Sequence, residues 1–198
     1  MRCQNRNIHL HQSRSSNCRC NNIVSSSRNA HTKDQRRDHC KEPAYKLLEG
    51  MKMEVFVPMK WRLVTHGGVR IREEVPFMPD LLFVHERRIT LDPIVEKIRT
   101  LQYRWLRRTW REPMTVADGD MERFIHAVNA AENPKYYQPD ELTPDMYGRS
   151  VRIVGGAMDG YSGKLLSARG SKFKRLMVEI PNLLTAAVEV NPEFIIFI

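Results

Sequence analysis

The chain has 198 residues, of which 41% are apolar and 28% charged, enough material to bury a sizeable core and ordinary for a globular protein. No run of 18 apolar residues appears, which excludes a helical membrane span, and the first thirty residues lack the apolar core of a secretory signal. The formal charge of +9 is uneven: residues 1–40 hold eight Lys/Arg against Asp34 and Asp38, so the basic pI belongs mostly to this segment and does not argue for a broad nucleic-acid surface on the rest.

Residues 1–40 are Ser-, Asn- and Arg-rich without period, and they read as a disordered tail. All four cysteines (Cys3, Cys18, Cys20, Cys40) lie in it. Cys18-Arg19-Cys20 with His39-Cys40 matches no familiar zinc spacing, so free thiols in a reducing cytoplasm are expected, and no metal or cofactor.

From residue 41 the pattern changes. Ala44, Leu47, Leu48 and Met51 share one helical face, with Pro43 in the first turn. Residues 54–64 are β-rich, Gly67-Gly68 marks a hairpin turn, and "VRIREEV" alternates as a half-buried strand. "MPDLLFVHE" reads as a more buried strand with Pro79 at its start. Asp92-Pro93 is expected to cap and open a helix that puts Ile94, Val95, Ile98 and Leu101 on one side. "YRWLRRTW" reads as a further strand. Met121, Phe124, Ile125 and Val128 mark a third helix.

Residues 132–147 carry three prolines and little period, and read as a linker. The five segments "RSVRIVGG", "SGKLLSA", "KRLMVEI", "TAAVEV" and "EFIIFI" then read as short strands of a small all-β barrel over residues 148–198. The expected organisation is a tail (1–40), an α+β domain with a small antiparallel sheet (41–131), a linker, and the barrel.

"VRIVGGAMDGYSGKLL" (151–166) ends its glycines on Gly163-Lys164 and invites a phosphate-loop reading. That loop needs a glycine where Met158 stands and a hydroxyl where Leu165 stands, followed by a helix where the pattern is strand-turn-strand. Gly155, Gly156, Gly160 and Gly163 are therefore expected to turn the chain between two barrel strands.

The stretch "GRSVRIVGGAMDGYSGKLL" resembles a KOW motif. The stretch "EVFVPMKWRLVTHGGVRIREEVPFMPDLLFVHE" resembles the second half of a NusG N-terminal domain. In this order the two resemble the layout of NusG-like transcription elongation and antitermination factors, with a C-terminal SH3-like KOW barrel, over residues 42–190. The long spacer after Gln102 is more similar to the specialised paralogues that antiterminate single operons, such as surface-polysaccharide loci.

The resemblance implies a cytoplasmic, monomeric, non-catalytic protein that docks on the clamp helices of RNA polymerase and suppresses pausing or termination. Phe77, Phe83, Tyr103 and Trp105 are the aromatic candidates for that docking, each with a place in the core as the other reading. Arg87, Arg88 and Thr90 stand where family members meet the opposite side of the cleft. Arg104, Arg107, Arg108 and Arg111 with Trp105 and Trp110 form a basic-aromatic cluster suited to nontemplate DNA, or to guarding a strand edge. Phe173, in the loop "RGSKFKR", is a candidate for binding a ribosomal protein or termination factor, or a barrel plug. The seven histidines are dispersed, and no nucleophile-base or paired-carboxylate pattern is present. A KOW-containing RNA-binding protein of the translation apparatus is the alternative, against which the low charge of residues 41–198 speaks.

A NusG domain opens with a Trp-aromatic-aliphatic strand that lies inside its sheet. Before Glu42 the only apolar pair in thirty residues is Ile23-Val24, flanked by Asn and Ser. Residues 1–40 are therefore expected not to supply that strand, and the change in composition at residue 41 points to a wrong reading frame or start upstream, with a divergent tail as the other reading. The domain as written is expected to be unstable.

Overall fold

The computed structural model describes residues 19–26, 43–106, 112–167 and 173–198. It is a mixed α and β structure of antiparallel strands and three α-helices.

The first sheet holds β1 (Arg19–Ser26), β2 (Glu54–Phe56), β5 (Leu82–Arg87), β6 (Leu101–Tyr103) and β7 (Thr115–Val116). Its order is β2-β5-β1-β6, with β7 on β1 beside β6. This corrects the expectation for residues 1–40: residues 19–26 form the central strand. β1 runs antiparallel to β5 from Arg19↔Arg87 to Val24↔Leu82, and on its other edge pairs β6 and β7. Ile23 and Val24 are 1% and 0% exposed, so one apolar pair fills both faces of the sheet. The flanking asparagines, which hide the strand from a hydropathy pattern, are satisfied at long range. Asn21 Nδ2 donates to Asp118 Oδ1 at 2.9 Å, and Asn22 Nδ2 donates to the Glu86 carbonyl at 2.9 Å.

Both faces of β5 are buried. Leu82 and Val84 pack with Val24, with Leu48 of α1 (Ala44–Gly50) and with Leu91 of α2 (Arg88–Lys97). Leu81 and Phe83 pack on the opposite face with Ile23 and with Met121 and Phe124 of α3 (Asp118–Asn129). α2 begins five residues before the expected start, with Pro93 inside it. Asp92 is no cap: it accepts from the Tyr103 hydroxyl at 2.7 Å, and the helix start follows the tertiary frame instead of the local Asp-Pro signal.

The β-rich stretch 54–64 breaks at Pro58. β3 (Met59–His66) and β4 (Val69–Pro76) form a two-stranded ribbon that, among the described residues, pairs with no other strand, turned by Gly67 and Gly68 at φ +56° and +83°. β4 is not half-buried as its alternation implied: residues 69–74 are all exposed.

β8 (Lys135–Tyr137), β9 (Tyr147–Ile153), β10 (Ser162–Leu166), β11 (Lys174–Ile180), β12 (Leu184–Val190) and β13 (Ile195–Phe197) make a second sheet in the order β13-β9-β10-β11-β12-β8. The five expected strands are β9 to β13. Among the described residues the path stays open and does not close into the expected barrel, because β8 extends it at the β12 edge. β8 comes from the segment read as a linker, as does one turn of 3-10 helix, Pro144–Met146. α3 lies in a core common to both sheets: Phe124 and Ala127 are buried together with Ile23 and Phe83 on one side and Val151, Leu176 and Val188 on the other.

Candidate functional site

A groove of about 600 Å³ runs between the root of the β3–β4 ribbon, the C-terminal end of α3 and β8. Its floor is aromatic. The Phe77 and Tyr136 rings lie 5.2 Å apart, Tyr136 and Phe124 lie 6.4 Å apart, and Phe56 meets Phe124 edge-on at 6.2 Å. Trp61, 47% exposed, forms one lip. Lys60 Nζ stands 5.0 Å over the Phe77 ring, and Glu74, Glu132 and Lys135 add charge around the opening. Arg72 holds the groove in shape: its guanidinium lies 4.5 Å over the Trp61 ring and donates to Asn133 Oδ1 at 2.6 Å.

The Tyr136 hydroxyl is enclosed in the groove wall without a hydrogen-bond partner among the described residues. Burial, and then the nearby Glu74 carboxylate, hold its phenol well above the ordinary tyrosine range. The arrangement offers an apolar trough with charged rims, suited to receiving an amphipathic segment. No cluster of three His, Cys, Asp or Glu able to hold a metal occurs among the described residues.

Of the sequence candidates, Phe77 is half-buried and lines this groove. Phe83 and Tyr103 take the core reading, at 1% and 8% exposure, and present no docking surface. Tyr103 is fixed by its bond to Asp92, and desolvation, followed by that bond, holds its phenol high. Trp105 is 49% exposed, edge-on to Tyr103 at 6.1 Å, on a different part of the surface from the groove. Arg87 and Thr90 are exposed at the start of α2, and Arg88 pairs with Asp92 at 3.3 Å. Arg104 reaches Asp80 at 3.4 Å, while Arg107, Arg108, Trp110 and Arg111 lie outside the described residues.

Gly155, Gly156 and Gly160 have positive φ in the turn between β9 and β10, as the turn reading requires. Gly163 differs: it lies within β10, where a Cβ would stand 2.9 Å from the Met177 carbonyl oxygen. Phe173 is 61% exposed, with the Arg175 guanidinium 5.8 Å from its ring, which favours the surface reading over the plug.

Phe56, Trp61 and Tyr136 are groove residues that sequence reasoning missed. Trp61 had a signal, an aromatic between Lys60 and Arg62 on a strand. Tyr136 had none, because a three-residue strand between prolines carries no period.

Compared with models of known protein families the chain matches none, and no curated protein matches it.

Proposed function

We propose that the protein is a NusG-like transcription elongation or antitermination factor. It acts without chemistry of its own, by docking an apolar groove on a helical element of RNA polymerase and suppressing pausing or termination, with surface-polysaccharide operons as the proposed setting. The observation that carries this reading is the aromatic groove at Phe77, whose size and charged rims suit an amphipathic helix. The order of motifs in the sequence supports it: the Gly-Gly hairpin, the aromatic-x-Pro step into a buried strand, and the KOW-like glycine turn. The finer fold reading, a NusG domain followed by a KOW barrel, rests on the same motifs and on the consecutive run β9 to β12 with β13 returning to β9.

Exposed Phe173 is the proposed contact for a ribosomal protein or termination factor, and Trp105 with Arg104 the proposed contact for nontemplate DNA. The test is recovery of RNA polymerase on the tagged protein after nuclease treatment, with Trp61→Ala as the comparison. Retention by the parent protein and loss with Trp61→Ala support the reading. Recovery of ribosomes alone overturns it in favour of a translation-associated RNA-binding protein.

A further inference from the structure

We infer that the free-standing β3–β4 ribbon is a duplex-DNA-binding arm that enters the major groove. The ribbon carries Lys60, Arg62, Arg70 and Arg72 against Glu73 and Glu74, and the stretch 62–72 around its tip holds three arginines and no carboxylate. Paired residues of an antiparallel ribbon share a face, so the register Leu63↔Arg72 and Arg62↔Glu73 assigns the faces. Arg62 stands on one face and Arg70 on the other. Both are exposed and make no hydrogen bond or ion pair with any described residue. A flat partner meets one face of a ribbon. A groove walled on both sides by phosphates meets both, and the major groove, about 12 Å wide, admits a two-stranded ribbon.

The remaining side chains fit that occupant. Leu63 and Val69 are 69% and 64% exposed, interleaved with the arginines, where apolar contact with thymine methyl groups is available. The two other cations are committed to contacts within the protein: Lys60 lies over Phe77, and Arg72 is bonded to Asn133. The Phe77 amide donates to the Pro58 carbonyl at 2.8 Å and closes the root. The arm is therefore held at its base and leaves two uncommitted cations, Arg62 midway along it and Arg70 near the tip. Double-stranded RNA, whose major groove is deep and narrow, excludes such a ribbon. The inference does not depend on polymerase docking, since it concerns the purified protein and DNA alone.

The test is fluorescence anisotropy with a labelled DNA duplex of about 20 base pairs, roughly two helical turns. Its comparators are the single strand and an RNA duplex of the same sequence. Arg62→Ala with Arg70→Ala is expected to weaken duplex binding roughly tenfold or more at about 50 mM salt, and to reduce the slope of log K against log salt by about two. Arg62→Lys with Arg70→Lys keeps the charge and is expected to keep that slope. Arg99→Ala with Arg152→Ala, two exposed arginines away from the ribbon, is expected to bind like the parent protein. Circular dichroism of each variant confirms a common fold. The inference is overturned by any of four results: absence of duplex binding at low salt, parental binding by the double alanine variant, tighter binding of the single strand, or equal binding of the RNA duplex.

Discussion

Ile23 lies directly opposite Phe83 in the β1–β5 ladder, and both side chains are 1% exposed against α3. The pair joins a segment of unpromising composition to β5, a strand buried on both faces at Leu82, Phe83 and Val84. Ile23→Ala is expected to cost about 2–5 kcal/mol and to lower the melting temperature by roughly 10 °C, since the cavity cannot be refilled from solvent. Parental thermal stability of this variant would show that β1 is not in the core.

Hydrogen exchange reads the same strand without mutation. The amides of residues 21–24 are expected to be protected as strongly as those of residues 82–86, because Ile23 N–H donates to the Met114 carbonyl at 3.1 Å in the sheet interior. Exchange within seconds across 21–24 would contradict the ladder.

Tyr136→Phe is expected to leave the fold intact and to raise stability by up to about 1 kcal/mol. The enclosed hydroxyl has no partner among the described residues, and removing an unsatisfied buried donor is neutral or favourable. Thermal melts check this, and a loss above about 1 kcal/mol would reveal a partner for the hydroxyl.

The phenols of Tyr103 and Tyr136 are both raised in the fold, by burial first and then by Asp92 and Glu74. Their folded values lie above the unfolded one, so their ionisation leaves stability unchanged below about pH 10, the ordinary tyrosine value, and lowers it as pH rises beyond that. Denaturant melts between neutral pH and about pH 11 are expected to show this decline, and Tyr136→Phe is expected to shallow it. A flat profile would mean that the two hydroxyls are solvated.

Gly163→Ala is expected to destabilise the second sheet by about 1–3 kcal/mol, because the new Cβ meets a backbone oxygen of β11 that cannot swing aside. Gly160→Ala meets nothing within 4 Å, but keeps a φ of +80°, and is expected to cost about 1 kcal/mol. Equal melting of the two variants would remove the distinction between close approach and turn conformation.

The sequence made legible what local pattern encodes. The 3.6-residue spacing of Met121, Phe124 and Val128 gives α3, Gly67-Gly68 gives the ribbon turn, and alternating apolar segments give β9 to β13. It hid what long-range partners decide. Asn21 and Asn22 look like loop residues until Asp118 and the Glu86 carbonyl satisfy them, so β1 cannot be read from its own composition. Asp92-Pro93 looks like a helix start until Tyr103 claims the carboxylate. The alternation of β4 predicts a covered face, but among the described residues it pairs with β3 alone, and residues 69–74 are exposed. The groove was half legible: Phe77 was in view, whereas its partner Tyr136 sat in a segment read as a linker.

The central place of β1 also sets an order of events during synthesis. Asn22 must wait for Glu86, 64 residues later, and Asn21 for Asp118, 97 residues later. The first sheet thus cannot close until its helical cover α3 begins to emerge, and the nascent chain carries an unmatched strand through that interval. Loop closure of this length slows collapse, and until then β5 presents an apolar edge to any other strand within reach.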